Sequence, residues 1–272
     1  MIYLFLSVLC SVLIANLLML FNLRGRIGML PVFLGNYLIA SLFSWMSVPG
    51  GRISLSGFDF GLAIVAGSLF LGNFWVYQRS IAVNGLSLSV GVMRVAMIIP
   101  VLISVAVFGE RLSAWNAAGI ALGIGAFALK ADPKELRNLL WIIGLFLVSG
   151  ATDATLKVYK ELGSGAESSF ILMIFASAFV FTLGAIILGK IPLTLKSFLL
   201  GCLLGFPNRW STVFFLKGLD HVPAALAYPL VAVSIMALSI FSDLALWKRK
   251  ASRRDILLWA LLALSLVLLN LR

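Results

Sequence analysis

Charged side chains are scarce in this sequence. Asp, Glu, Lys and Arg make up 11% of the 272 residues, whereas hydrophobic residues make up 62%. A typical soluble domain carries about 25% charged residues, because its surface must face water. Ten acidic and 21 basic side chains are too few to cover a water-soluble protein of this length. The composition therefore excludes a soluble domain of any size and predicts a chain that folds in lipid.

Residues that bind metals or form disulfides are also few. The chain has two cysteines, Cys10 and Cys202, each inside an apolar run, and one histidine, His221. Cysteines in such runs are usually small packing residues. Polytopic membrane enzymes cluster His, Asp or Glu for metal or acid–base chemistry, and no such cluster occurs here. We therefore expect no metal site, no cofactor and no enzymatic activity.

Apolar runs extend along the whole chain. A hydrocarbon core about 30 Å thick requires about 20 apolar residues of helix, and these continuous runs lack the ten-residue alternation of membrane β-strands. The sequence thus predicts an all-α integral membrane protein with ten transmembrane helices. The spans are expected near 2–21, 28–48, 59–77, 85–108, 113–130, 138–159, 168–189, 195–217, 222–247 and 255–271.

A short motif suggests that the chain is duplicated. Asn-Phe-Trp at 73–75 recurs as Asn-Arg-Trp at 208–210, and five spans lie on each side of Asp132. Two five-helix halves, 1–131 and 132–272, would enter the membrane from opposite sides because five is odd. Inverted repeats of this kind are typical of secondary transporters, whose substrate site lies near the midplane between the halves.

The basic residues are concentrated in the short connections. This placement of positive charge, in a chain whose net charge is +11, matches anionic lipid headgroups, so membrane lipids and not nucleic acid are the expected partners. Thirteen connecting Lys and Arg residues fall on one side and six on the other. Since cytoplasmic loops carry the excess of positive charge, this count predicts both termini outside the cytoplasm.

The end of the fourth span carries a family resemblance. Pro100 is followed by Gly-Glu-Arg-Leu-Ser at 109–113 and by a Gly-rich fifth span at 119–125. The chain resembles the EamA-type transporters of the drug/metabolite transporter superfamily. The matching place in the second half, Trp-Lys-Arg-Lys at 247–250, lacks the Glu. The resemblance implies a carrier with both termini in the cytoplasm. This orientation conflicts with the one that the charge count predicts. We expect the protein in the bacterial inner (cytoplasmic) membrane.

Charged residues predicted near the middle of the membrane are the strongest candidates for a substrate-binding site. A charge near the bilayer centre costs about 2.5–3.5 kcal/mol by insertion scales, and Arg94 lies about nine residues into the fourth span. Arg94 is expected either to bind an anionic group in a central cavity or to form a buried pair with Asp153 or Asp243. Asp153 is four residues before Lys157, so these two side chains share a helix face and can pair.

Prolines mark further candidate positions. Pro207 can kink or break the eighth span and free backbone groups for a ligand beside Asn208 and Arg209. The alternative is a kink that serves packing, with Arg209 reaching an interface. Prolines 223 and 229 bracket Tyr228. Asn73 and Tyr77 share a helix face, where they bind either a neighbouring helix or the ligand.

Together, the predicted substrate-binding residues are Arg94, Asn208, Arg209, Asp153, Asn73, Tyr77 and Tyr228. They predict a secondary transporter that moves a small organic, anionic or zwitterionic metabolite by alternating access. Asp153 is the candidate for coupling to a proton. The alternatives are a lipid or lipid-carrier flippase, a channel and, least favoured, a polytopic membrane enzyme. The glutamate at 110 is expected to cap the fifth span or to pair with a loop cation.

Overall fold

The computed structural model describes residues 1–23, 28–84, 86–130, 137–246 and 253–271. The predicted boundary between the halves at 131–132 lies outside these residues. The predicted connections at 22–26 and 247–250 lie wholly or partly outside them.

The described residues form α-helices and one short 3-10 turn, Pro49–Gly51, without any strand. The all-α prediction is therefore confirmed for this part of the chain. The helices are α1 (Ile2–Leu23), α2 (Met29–Trp45), α3 (Gly57–Asn84), α4 (Leu86–Val95), α5 (Ile98–Ala106), α6 (Ala114–Lys130), α7 (Leu139–Leu162), α8 (Glu167–Leu188), α9 (Leu195–Leu219), α10 (Ala224–Ala245) and α11 (Arg253–Asn270).

Six helical segments in the described part are long and apolar enough to cross a membrane. They are Ile2–Phe21, Gly57–Asn84, Ser89–Ala106, Leu139–Leu162, Glu167–Leu188 and Ala224–Ser242. Shorter apolar helices cover Met29–Trp45, Ala114–Phe127 and Ile256–Asn270. Many large apolar side chains face outward, such as Leu140 at 78% and Leu188 at 86% exposure, as lipid-facing surfaces require. The chain is a membrane protein on this evidence.

The fourth predicted span is broken into α4 and α5. The break falls at Ala96 and Met97, because Pro100 has no N–H to donate to the Ala96 carbonyl. That carbonyl accepts a hydrogen bond from the Ile99 N–H instead, at 3.0 Å. By contrast, α9 runs unbroken through Pro207, so of the two expected effects of this proline, a kink or a break, the break does not occur.

Helices of the N-terminal half pack mainly on helices of the C-terminal half. The main pairs between halves are α1 with α9, α2 with α9, α2 with α8, α3 with α8, α3 with α7, α1 with α10 and α6 with α11. Small residues permit the closest approaches: a Cβ added to Gly201 would lie 1.9 Å from the Val32 carbonyl oxygen, and one on Gly67 would lie 2.6 Å from the Ser177 Cβ.

One face of the bundle collects the start of α1 and the end of α11. Contacts between chain ends and connections define it: Tyr3 stacks edge-on against His221, and the Asn116 amide donates to the carbonyl of Leu269. The start of α3 meets the α7–α8 connection there, since Asp59 accepts from the Gly165 N–H. We call this the N-terminal face. The opposite face holds the end of α3, where Asn84 bonds the backbone of Asn138.

Candidate substrate-binding cavity

A cavity of about 200 Å³ lies between the two halves. Its walls come from α1, α3, α4, α7, α9 and α10. The polar lining consists of Ser7, Ser11, Arg94, Asp153, Ser211, Thr212 and Tyr228. The apolar lining consists of Phe70, Met93, Met97, Leu156, Phe215, Val231, Ala232 and Ile235. A mixture of apolar walls and a few convergent polar groups is typical of small-molecule sites.

Arg94 and Asp153 face this cavity from opposite halves. Arg94 is the penultimate residue of α4, and Asp153 lies in the middle of α7. The two charges interact electrostatically, but among the described residues the ion pairs within 4.0 Å are those of Lys157 and Lys160. Arg94 and Asp153 therefore do not close into a salt bridge. The side chain of Asp243 lies outside the described residues.

Two tyrosines lie beside these charges. The buried Tyr228 hydroxyl donates to the Asp153 backbone carbonyl at 2.6 Å, so it fixes α10 against α7 at the cavity wall. Tyr77 of α3 interacts electrostatically with Arg94. Three of the predicted residues, Arg94, Asp153 and Tyr228, thus line one cavity, and Tyr77 adjoins it.

The helix break lies at the wall of the cavity. Met97 lines the cavity and precedes the first turn of α5. The N-terminus of a helix carries about half a positive charge, which favours anions. At this break, however, the Met97 N–H donates to the Arg94 carbonyl and the Ile99 N–H donates to the Ala96 carbonyl. Arg94 is therefore the group at this wall that favours a negatively charged ligand.

Serines on α1 and α9 form a polar contact that is not predicted from the sequence. The Ser11 and Ser211 hydroxyls are 2.9 Å apart, and the Ser7 hydroxyl donates to the Ser211 carbonyl at 3.0 Å. A single hydroxyl in an apolar helix is as compatible with packing as with binding, so the sequence offers no signal that separates the two. In the structure these hydroxyls supply donors and acceptors opposite the charges.

Three other predicted residues lie away from the cavity lining. The Asn73 side chain accepts from the Ser149 hydroxyl of α7 at 2.7 Å. Asn208 donates to Asn36 of α2 at 3.1 Å, and the Arg209 guanidinium donates to Ser47 beyond the end of α2 at 2.5 Å. These side chains join helices to one another. Arg209 therefore contacts the end of α2, and its alternative role at an interface stays a prediction.

Arg209 is 5% exposed and lies over the adjacent Trp210 ring, 4.3 Å from its centroid. Because α9 continues through Pro207 as a helix, Arg209 stays on the side of α9 that packs against α2. The ligand site beside a helix break at this position is therefore replaced by a contact between α2 and α9.

A cluster around Glu110 joins the two halves between Asp153 and the N-terminal face. The Glu110 carboxylate accepts from the backbone N–H groups of Ala224 and Ala225, at 3.1 and 2.7 Å, and pairs with Lys157. Lys157 is buried, pairs also with Glu161, and lies 5.0 Å from the Phe108 ring centroid. We call Glu110, Lys157 and the first turn of α10 the latch. It joins the first half to the second directly above Asp153.

The latch corrects two expectations from the sequence. The glutamate at 110 caps α10 and not the fifth span, because the α5–α6 connection reaches across to the second half. Lys157 pairs with Glu110 and Glu161 and not with Asp153, which leaves the Asp153 carboxylate facing the cavity. Within the described ranges, no three His, Cys, Asp or Glu side chains are grouped as metal ligands would be.

Comparisons with known proteins concern the fold. The chain matches no protein-family model. An uncharacterized protein of Haemophilus influenzae is 23% identical over 264 residues, which are 91% of this chain and 90% of that protein. A solved crystal structure of a protein superposes with a TM-score of 0.79 at 13% identity and covers 99% of this chain and 96% of its own. The same arrangement of helices is therefore present in a protein of distant sequence.

Proposed function

We propose that this protein is a secondary transporter that moves a small organic anion or zwitterion across the membrane by alternating access. The observation that carries the proposal is the cavity between the halves, in which Arg94 and Asp153 face each other without a salt bridge. A charge within a membrane-spanning helix that has no ion-pair partner needs water or a ligand, because its transfer into the membrane costs about 2.5–3.5 kcal/mol by insertion scales. A solute-accepting cavity satisfies that need.

The helix packing supports a ten-span inverted repeat for the proposed carrier. If α1–α6 and α7–α11 are two five-span halves, with α4 and α5 as one span, α1 corresponds to α7, α2 to α8 and α3 to α9. Exchanging the halves converts the pair α2–α9 into α8–α3, α1–α9 into α7–α3, and α1–α10 into α7–α4 and α7–α5. Each of these pairs is in contact. This exchange is what inverted repeats predict.

In the proposed transporter the latch would act as a gate. It links the two halves on the N-terminal face, so its opening would expose the cavity there, while the linked state leaves the opposite face as the route of access. Rocking of one half against the other around a fixed site is the usual mechanism for such repeats. By resemblance to the EamA-type transporters, we place the protein in the bacterial inner membrane, with the halves 1–131 and 132–272.

The proposal is tested by replacing Arg94. Purified protein is first screened by thermal shift against carboxylates, phosphates and amino acids, and the strongest ligand is then measured in uptake by proteoliposomes. Arg94→Ala should weaken binding by about 10- to 150-fold, since a hydrogen bond to a charged group contributes about 1.5–3 kcal/mol. Arg79→Ala removes the same charge from an exposed site on α3 and should leave binding unchanged. Uptake by Arg94→Ala at the wild-type rate would rule out this site.

A further inference from the structure

An apolar groove of about 480 Å³ lies beside the polar cavity, between α1, α10 and α11. It is lined by Met1, Leu4, Phe5, Val8, Leu230, Val231, Ser234, Ala237, Leu238, Leu266 and Asn270. Only Ser234 and Asn270 among these have polar side chains. Phe5 on its rim is 53% exposed, so the groove opens toward the lipid at the N-terminal face.

The groove and the cavity share one wall. Val231 lines both. On α10 the cavity is lined by residues 228, 231, 232 and 235, and the groove by residues 230, 231, 234, 237 and 238. On α1, Ser7 and Ser11 face the cavity, whereas Leu4 and Val8 face the groove. At Val231 a single side chain thus lies between the apolar groove and the cavity, to which α1 contributes its polar groups.

We propose that the substrate is an amphipathic anion, with its charged head in the cavity near Arg94 and its alkyl arm in the groove. This inference rests on the proposed function and narrows its substrate class. A small hydrophilic anion makes no use of an apolar groove that adjoins its site. An alkyl arm gains there because apolar surface removed from water stabilises the complex.

The dimensions fit a medium-length chain. From Leu230 to Leu238 the groove follows eight residues of α10, about 12 Å at 1.5 Å per residue. An extended chain advances roughly 1.2 Å per bond, so about ten bonds fill this length. The groove volume also lies within the range of roughly 300–1,000 Å³ that is typical of ligand pockets.

The experiment compares butyrate with octanoate, which share a head and differ by four methylenes. Binding is measured by isothermal titration to the full chain in phosphatidylcholine nanodiscs, with protein-free nanodiscs subtracted. Each methylene buried from water strengthens binding by about fourfold. Since lipid competes for the groove, we expect octanoate to bind about tenfold to a hundredfold more tightly than butyrate.

Two serine variants of α10 separate the groove from general effects of the substitution. Ser234→Trp fills the groove and should reduce the octanoate advantage to less than about threefold, with butyrate binding unchanged. Ser239→Trp introduces the same side chain five residues further along, outside both linings, and should keep the advantage. Equal affinity of the wild type for the two ligands, absence of octanoate binding, or an undiminished advantage in Ser234→Trp would each overturn the inference.

Arg94→Ala distinguishes this inference from the proposed function. Loss of both ligands in Arg94→Ala, together with the chain-length effect in the wild type, supports both. Loss of butyrate in that variant with no chain-length effect overturns the amphipathic substrate and leaves the anion carrier standing. Unchanged binding of both ligands to Arg94→Ala overturns the head site, and with it the proposed function.

Discussion

Replacement of Glu110 by Gln should open the cavity toward the N-terminal face. The Glu110 carboxylate accepts two backbone N–H groups at the start of α10 and pairs with the buried Lys157. Hydrogen bonds to charged groups contribute about 1.5–3 kcal/mol each. A Gln oxygen can still accept one of them, and Lys157 retains Glu161. We therefore expect the closed arrangement to lose about 2–3 kcal/mol, which shifts its equilibrium with the open one by roughly 30- to 150-fold.

Glu161→Gln is the matched control. It removes the second carboxylate that pairs with Lys157. The Glu161 side chain is 39% exposed and lies four residues from Lys157 on the same helix. Exposed pairs of this kind contribute about 0.2–1 kcal/mol, so the same equilibrium should shift by no more than about fivefold. In each variant Lys157 keeps one carboxylate partner. Of the two glutamates, however, Glu110 is the one that connects the two halves.

The assay measures the rate at which a cavity cysteine is labelled. Ala232→Cys provides the target in a background where the free thiols Cys10 and Cys202 are replaced by Ser. A small, membrane-impermeant methanethiosulfonate is added on the N-terminal side of vesicles with one orientation. Glu110→Gln should accelerate labelling by one to two orders of magnitude over Glu161→Gln. Equal rates in the two variants would refute the role of the latch as a gate.

Two further substitutions test the packing that holds the cavity in place. Gly201→Val places a side chain against the Val32 carbonyl and should lower the free energy of unfolding by about 3 kcal/mol or more; Gly125→Ala, where nothing lies within 4 Å of the added Cβ, should not lower it. Arg209→Gln loses the bond to Ser47 and the contact with the Trp210 ring, so thermal unfolding in detergent should show a loss of about 1–2 kcal/mol. Ligand affinity should stay within about twofold of the wild type in Arg209→Gln, and a loss as large as that in Arg94→Ala would show that Arg209 belongs to the site.

The helices were largely predictable because lipid imposes a simple rule on sequence. A helix that crosses hydrocarbon must be apolar over most of its length, and each of the ten apolar runs overlaps one or two helices of the structure. The break at Ala96 was missed although Pro100 signals it. From sequence alone, Pro207 predicts a kink or a break in the eighth span, but α9 accommodates that proline as a continuous helix. A proline alone does not determine whether neighbouring helices hold the chain in a continuous helix.

Residues of the candidate site could be predicted where a charge marks them. They could not be predicted where only the orientation of the side chain places them in the cavity. Arg94 and Asp153 are marked by their charge at mid-depth, and the structure brings them to one cavity. Arg209 carries the same mark but faces α2. A helix that is apolar nearly all round gives no periodic signal for the face it buries. For the same reason, Ser7 and Ser211 could not be distinguished from ordinary packing residues.

The position of Arg94 at the end of α4 explains how a cation can persist at this depth. Insertion of such a charge costs about 2.5–3.5 kcal/mol, and the carbonyl end of a helix returns about 0.3–1 kcal/mol, or up to 2 in favourable geometry. Asp153 adds attraction without contact. The difference is about 0.5–3 kcal/mol before the attraction of Asp153 is counted, and water or an anion in the cavity can offset it.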